Sequence, residues 1–117
     1  MTTANDLAGK HCKPLDNKAE PLTRGRADSL LKDLHADWSV DESGREISRT
    51  FSFNDYFQTM AFVNATAWIA HAEDHHPDIE VGYNRCHIRF STHSIGGLSE
   101  NDFICGAKID ALLPEDS

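Results

Sequence analysis

The apolar positions of this chain change period several times, and the changes mark its elements. Residues 1–23 show no period and are broken by Pro14 and Pro21, which predicts a flexible N-terminal arm rather than a core element. From residue 24, RGRADSLLKDLH places Ala27, Leu30, Leu31 and Leu34 at i, i+3, i+4 and i+7, one face of an amphipathic helix. So short a helix must gain its stability from packing. Trp38 and Val40 stand two apart before Asp41-Glu42-Ser43-Gly44, and Ile47, Phe51 and Phe53 then keep period two. Two short strands around a Gly-bearing turn make a β-hairpin. Arg49 breaks the alternation, so its face is expected to be partly buried or its stem to lie along apolar surface.

Residues 54–72 form the longest periodic segment, with Asn54 or Asp55 suited to the N-cap. On a helical projection Val63, Ala70, Tyr56, Ala67, Met60, Phe57, Trp68 and Ala61 fill about half the circumference and predict the core-facing stripe. The opposite half is polar except for Phe62 and Ile69, seven residues apart on one line. That pair is expected to be covered by the N-terminal arm or, by preference, to form a subunit contact. Pro77 disfavours helix at His76, so the helix should stop near residues 71–74. Ile79-Glu80-Val81-Gly82-Tyr83 alternates, and Cys86, Ile88 and Phe90 then face opposite to His87, Arg89 and Ser91. Sheets with one apolar face are antiparallel and covered on that side. A Gly96-Gly97 loop leads to Ser99-Glu-Asn-Asp102, which reads as a capping box opening a last helix that Pro114 ends. The order α-β-β-α-β-β-α predicts an α+β fold, a four-stranded antiparallel sheet with helices packed on one face.

Composition adds bounds to this picture. At 117 residues the chain is one domain by length, here residues 24–117 behind the arm, and can bury a core without a metal or disulfide. The formal net charge of −8 argues against nucleic acid or an anionic membrane as a partner. Cys12, Cys86 and Cys105 are odd in number and far apart, so free thiols in a reducing compartment are expected. The N-terminal stretch has no apolar signal region, and no apolar run approaches ~20 residues. A cytoplasmic location follows as the expectation.

Candidate chemistry gathers in one stretch. Five of the seven histidines fall between His71 and His93, with His75-His76 directly before Pro77. His71 and His75, four apart, would share a helix face if the helix persisted that far. The order His-Ala-Glu-Asp-His is not that of a zincin helix, and spacing alone leaves a His75/His76/His93 zinc site open. His11-Cys12 would be half of a metal site only with a second pair of ligands. Imidazoles titrate near neutrality, so two or three around one pocket can supply an acid and a base together. The chain has no GxSxG, phosphate-binding loop or dinucleotide glycine pattern, and Cys86 and Cys105 lie in apolar patterns. Proton transfer without a covalent intermediate is the chemistry these residue types support. His71 and His87 read as secondary, and Asp102 can cap its helix and still accept from a histidine.

The run His71-xxx-His75-His76-Pro77, then Tyr83, Ser91-Thr92-His93, Gly-Leu-Ser and Asp102 resembles the signature of the pterin-4a-carbinolamine dehydratases. The likeness covers about residues 24–113, including Leu30-Leu31, Trp38 and Phe51-Ser-Phe53. It implies dehydration of a 4a-hydroxytetrahydropterin to the quinonoid dihydropterin, in recycling the cofactor of aromatic amino-acid hydroxylases. It implies no metal or bound cofactor. Carried over by position, His75 and His93 would be the acid–base groups, His76 would hold the pterin, and Asp102 would orient a histidine. Ser91, Thr92, Ile79 and Trp38 would contribute substrate contacts. His71 stands where animal members tend to have Glu, and Ile79 where they carry an aromatic residue. The resemblance also implies a homo-oligomer, dimer or tetramer, and an alternative role as a dimerisation cofactor of a transcription factor through protein contacts. A metal-dependent hydrolase built on the histidines is the other competing reading.

Overall fold

The computed structural model describes residues 4–114, and side-chain surroundings from residue 6 onward. Its elements are α1 (Ala4–Ala8), α2 (Arg24–Leu31), β1 (Ser39–Val40), β2 (Ile47–Ser52), α3 (Tyr56–Glu73), β3 (Asp78–Val81), β4 (Arg85–Phe90), a 3₁₀ turn (His93–Ile95) and α4 (Glu100–Asp110). The four strands form one antiparallel sheet in the order β1-β2-β4-β3. β4 is central, with Ile88 opposite both Arg49 and Ile79. Its Cys86, Ile88 and Phe90 are buried. On the other face His87 pairs with the Thr50 hydroxyl at 2.8 Å, and Arg89 reaches Glu80 at 3.3 Å. The expected α+β architecture is the observed one, from residue 24 onward in the expected order.

α4 lies at the centre of the packing, and residues 101–107 of it are all buried. Leu98, Phe103, Ile104 and Ile109 join Ile47, Phe51, Ile88 and Phe90 in one cluster. That cluster also takes in Leu7 of α1, which is fully buried. Residues 7–22, within the segment expected as a flexible arm, are therefore tied into the fold. Lys108 Nζ donates to the Ala8 carbonyl at 2.8 Å, and Lys13 and Asn101 exchange two hydrogen bonds of 3.0 and 2.8 Å. The physical reason is local: a single leucine on one turn of helix anchors the segment, too short a signal to show as a period. The segment's end is pinned as well. Leu22 N–H donates to Leu98 O at 2.8 Å, and a Cβ on Gly97 would come within 2.8 Å of Pro21, so only glycine fits there.

α3 turns the opposite face inward from the one expected. Thr59, Phe62 and Thr66 are its buried residues, and Val63 and Ile69 pack partly against the core. Tyr56, Phe57 and Trp68 point to solvent, Phe57 with 80% exposure. Phe62 rests 4.5 Å from the Phe51 ring and 5.1 Å from Phe53, so the Phe62/Ile69 line is core and not a subunit contact. The helix is apolar on both sides, which blunts its periodicity. Threonine can replace a hydrophobe inside when the helix itself satisfies its hydroxyl. Thr59 Oγ1 does this, donating to Asp55 O at 2.8 Å with Tyr83 O at 3.0 Å.

Candidate active site

The site begins where α3 stops. Asp74 adopts the left-handed conformation (φ 52°, ψ 43°), its N–H bonds His71 O, and the N–H of His75 returns 3.1 Å to Ala70 O. This Schellman closure turns the chain out of the helix axis. His71 and His75 consequently do not share a helix face, and His71 is exposed beside Trp68, 5.4 Å between rings. The turn carries His75 inward and leaves His76 exposed, with Pro77 leading into β3.

His75 Nε2 lies 2.6 Å from Asp102 Oδ1. Asp102 is fully buried, whereas the His75 side chain keeps 13% exposure. The other carboxylate oxygen, Oδ2, accepts from the Thr92 hydroxyl at 2.9 Å and from the Ser99 backbone N–H at 3.0 Å. The second of these is the carboxylate half of the expected capping box, so α4's N-terminus both anchors and favours the negative charge. The Thr92 hydroxyl also meets the Ser99 hydroxyl at 2.7 Å. The His75 ring is stacked on Phe90, 5.8 Å between centroids and 7° between planes. One hydrogen bond, to a carboxylate that two others anchor, and a stacking partner thus hold the imidazole in one orientation.

The third histidine arrives on a different element. β4 ends at Phe90, Thr92 and Gly97 pair across a small loop, and His93 opens the 3₁₀ turn, which Gly96 closes at φ +69°. The exposed rings of His76 and His93 face each other with centroids 6.5 Å apart and planes 28° apart. That distance is too long for a direct hydrogen bond, so both keep free edges at the surface beside the half-buried His75.

Other expected site residues stand elsewhere. Trp38 is buried in the core (3% exposed), edge-on to Phe51, and its indole N–H donates to Asp110 at 2.8 Å. Its only polar group is consumed and its ring is covered, so it is no substrate contact. Thr92 is buried with its hydroxyl committed to Asp102 and Ser99, and holds the carboxylate rather than a ligand. Ser91 is half-buried at the end of β4, and Ile79 is half-buried on β3, packed against the core. Ser99 and Phe90 were missed as site residues. The capping box pointed to Ser99, and the alternation of β4 pointed only to a buried Phe90. Among the described residues, no three His, Cys, Asp or Glu side chains converge as a metal-holding group.

The structure is thus an α+β protein with a buried carboxylate that holds one imidazole at the end of α3. Residues 20–112 match the sequence profile of the family described as pterin 4 alpha carbinolamine dehydratase. A protein of Nitrosomonas eutropha whose name assigns it to the pterin-4-alpha-carbinolamine dehydratases is 57% identical over 113 residues, 97% of this chain and 98% of that one. A crystal structure from Brucella melitensis, of a transcriptional coactivator/pterin dehydratase, superposes with a TM-score of 0.76 at 29% identity, covering 81% of this chain and all of that one. A pterin dehydratase-like protein identified as a RuBisCO assembly factor in the alpha-carboxysome gives a TM-score of 0.59 at 28% identity, over 67% of this chain and 90% of that one. The chain belongs to the pterin-4a-carbinolamine dehydratase family and is an enzyme of that family, a dehydratase.

Proposed function

We propose that the protein converts 4a-hydroxytetrahydropterin to quinonoid dihydropterin and water by histidine acid–base catalysis, in recycling a tetrahydrobiopterin-type cofactor. The observation that carries this reading is the His75–Asp102 pair, locked from below and open only at the histidine, beside two exposed imidazoles. Loss of water needs the leaving hydroxyl at C4a to gain a proton, and the adjacent ring nitrogen to lose one as the C4a=N bond forms. In this scheme the Asp102 carboxylate accepts a hydrogen bond from His75 Nε2–H, the tautomer that leaves Nδ1 with a lone pair for the substrate. His93, on a separate element, supplies the second proton-transfer group, and exposed His76 holds the pterin, with Ser91 and Ile79 near its rim. No covalent adduct is part of the scheme.

Stopped-flow measurement of carbinolamine dehydration tests this directly. Wild-type protein should accelerate the reaction, and His75→Ala and His93→Ala should each lose about 10²–10⁴-fold. No acceleration by the wild-type protein over buffer would sink the reading. Zinc bound stoichiometrically and lost together with activity on chelation would replace it with the hydrolase alternative.

A second reading concerns association. The outer face of α3 exposes Tyr56, Phe57 and Trp68, and Tyr83 is exposed in the turn after β3. Exposed aromatic groups on one helix favour a homo-oligomer built on that face. The same face would serve a protein-binding transcriptional cofactor, the function that the Brucella melitensis relative's description includes. Both roles act through protein contacts and leave the histidines free. The free thiols Cys12, Cys86 and Cys105 support a reducing, cytoplasmic setting.

A further inference from the structure

We infer that Cys12 and Cys105 form an oxidisable dithiol that fastens the N-terminal segment to α4 when a small-molecule disulfide reacts with it. The two sulfurs lie 3.5 Å apart across a sequence separation of 93 residues. Both thiols are free in the structure. Cys12 sits between anchored neighbours: its own N–H donates to Glu73 at 2.7 Å, and Lys13 N–H donates to Asn101 at 3.0 Å. Cys105 is buried on α4, one turn after Asp102, with its sulfur 4.0 Å from the His75 carbonyl. The pair therefore lies directly behind the histidine–carboxylate site without being part of it.

The two thiols differ in a way that sets the order of events. Cys12 is half-buried and lines two clefts, of about 370 and 630 Å³, so a small disulfide can reach it. Cys105 has no such access. Its hydrogen bond with Cys12, its burial and the neighbouring Glu73 and Asp102 carboxylates push its thiol well above the ordinary range. Cys12 is thus the group that meets the oxidant, and Cys105 the group that resolves the product. In the first step Cys12 gives up its proton to water and attacks the disulfide RSSR as thiolate, and the released RS⁻ takes up a proton in turn, giving RSH and the mixed disulfide Cys12–S–S–R. In the second, the Cys105 sulfur attacks the Cys12 sulfur, R leaves as thiolate, and that thiolate takes up the Cys105 proton. The dithiol loses two electrons and two protons, and RSSR becomes two RSH. Closing the bond to about 2.05 Å requires about 1.5 Å of approach. The segment around Cys12, exposed at His11 and Lys13, can supply this movement more easily than packed α4.

Reaction with glutathione disulfide, read by intact mass and peptide mapping, tests the assignment independently of any dehydratase activity. The wild-type product should have lost the mass of two hydrogen atoms, carry a Cys12–Cys105 crosslink and retain Cys86 as its one free thiol. Its melting temperature should rise by about 5–15 °C, because the bond closes a long loop in the unfolded chain. Cys105→Ser should stop at the glutathione adduct on Cys12, and Cys12→Ser should leave Cys105 unmodified. A wild-type protein that keeps the adduct on Cys12, forms a Cys12–Cys12 dimer or reacts first at Cys86 would overturn the inference. Cys12→Ser, at a half-buried position, keeps the test available should Cys105→Ser fold poorly.

Discussion

Helix α4 carries an aspartate near each end, and the two do different work. Asp102 sits in the first turn, where the helix dipole favours a carboxylate, and holds a histidine. Asp110 is the last residue of the helix, where the dipole opposes it. There it accepts from Arg49 at 2.7 Å, from the Trp38 indole at 2.8 Å and from the His35 N–H at 3.1 Å. Both carboxylates are mostly shielded from water, so burial alone does not separate them. Their partners do. Arg49, stacked 4.2 Å over the Phe51 ring and 5% exposed, makes its pair with Asp110 a clamp between β2 and α4. His75 keeps 13% side-chain exposure and is followed in the chain by His76, whose exposed ring faces that of His93. What separates the two carboxylates is that the partner of Asp102 keeps an exposed edge and that of Asp110 does not.

Breaking each end should separate rate from stability. Asp102→Asn keeps the shape but removes the charge that selects the His75 tautomer, and should cost about 10²-fold or more in dehydration, read in the same stopped-flow assay. A fully active Asp102→Asn protein would place the proton transfer elsewhere. Asp110→Ala leaves buried Arg49 with only Asp37, 4.0 Å away, as counter-charge and should cost about 3–5 kcal/mol of stability in urea unfolding, with kcat/KM of the folded protein changed less than twofold. An unaltered unfolding midpoint would refute the clamp. Between these, Thr92→Val removes one of two donors to Asp102 Oδ2 and should cost about 1–2 kcal/mol, with a modest fall in rate. On the outer face of α3, Phe57→Asp with Trp68→Asp should lower the mass seen by light scattering and leave the fold intact. An unchanged mass would remove that face as the subunit contact.

A third carboxylate, Glu73, sharpens the comparison through pH. Burial raises its pKa, but the Cys12 N–H, His11 and Lys108 outweigh it and bring the carboxyl below its usual value. A folded pKa below the unfolded one means stability present above about the ordinary value of 4.5 and lost as pH falls through the folded value. The stability gap between wild type and Glu73→Gln should therefore shrink on acidification, and this is the smallest of the expected effects. A gap that is constant from neutrality into acid would show that the charge of Glu73 does not hold the N-terminal segment.

Short-range physics made much of this protein legible from its sequence. Period two gave β2 and β4 their faces, with Cys86, Ile88 and Phe90 buried as the alternation requires. Ser99 and Asp102, three apart, announced a capping box, and Pro77 placed the end of α3 beside His75. Those signals depend only on neighbours within a turn or a strand. Which side of α3 turned inward was a tertiary decision, because both sides offer apolar surface and only packing against Phe51 and Phe53 separates them. The Asp110 clamp joins residues 61 and 72 positions away, and the Cys12–Cys105 contact joins residues 93 apart. No local period encodes such pairings. They form as the collapsed chain pairs its buried polar groups, and the three-dimensional structure alone determines which partner each one finds.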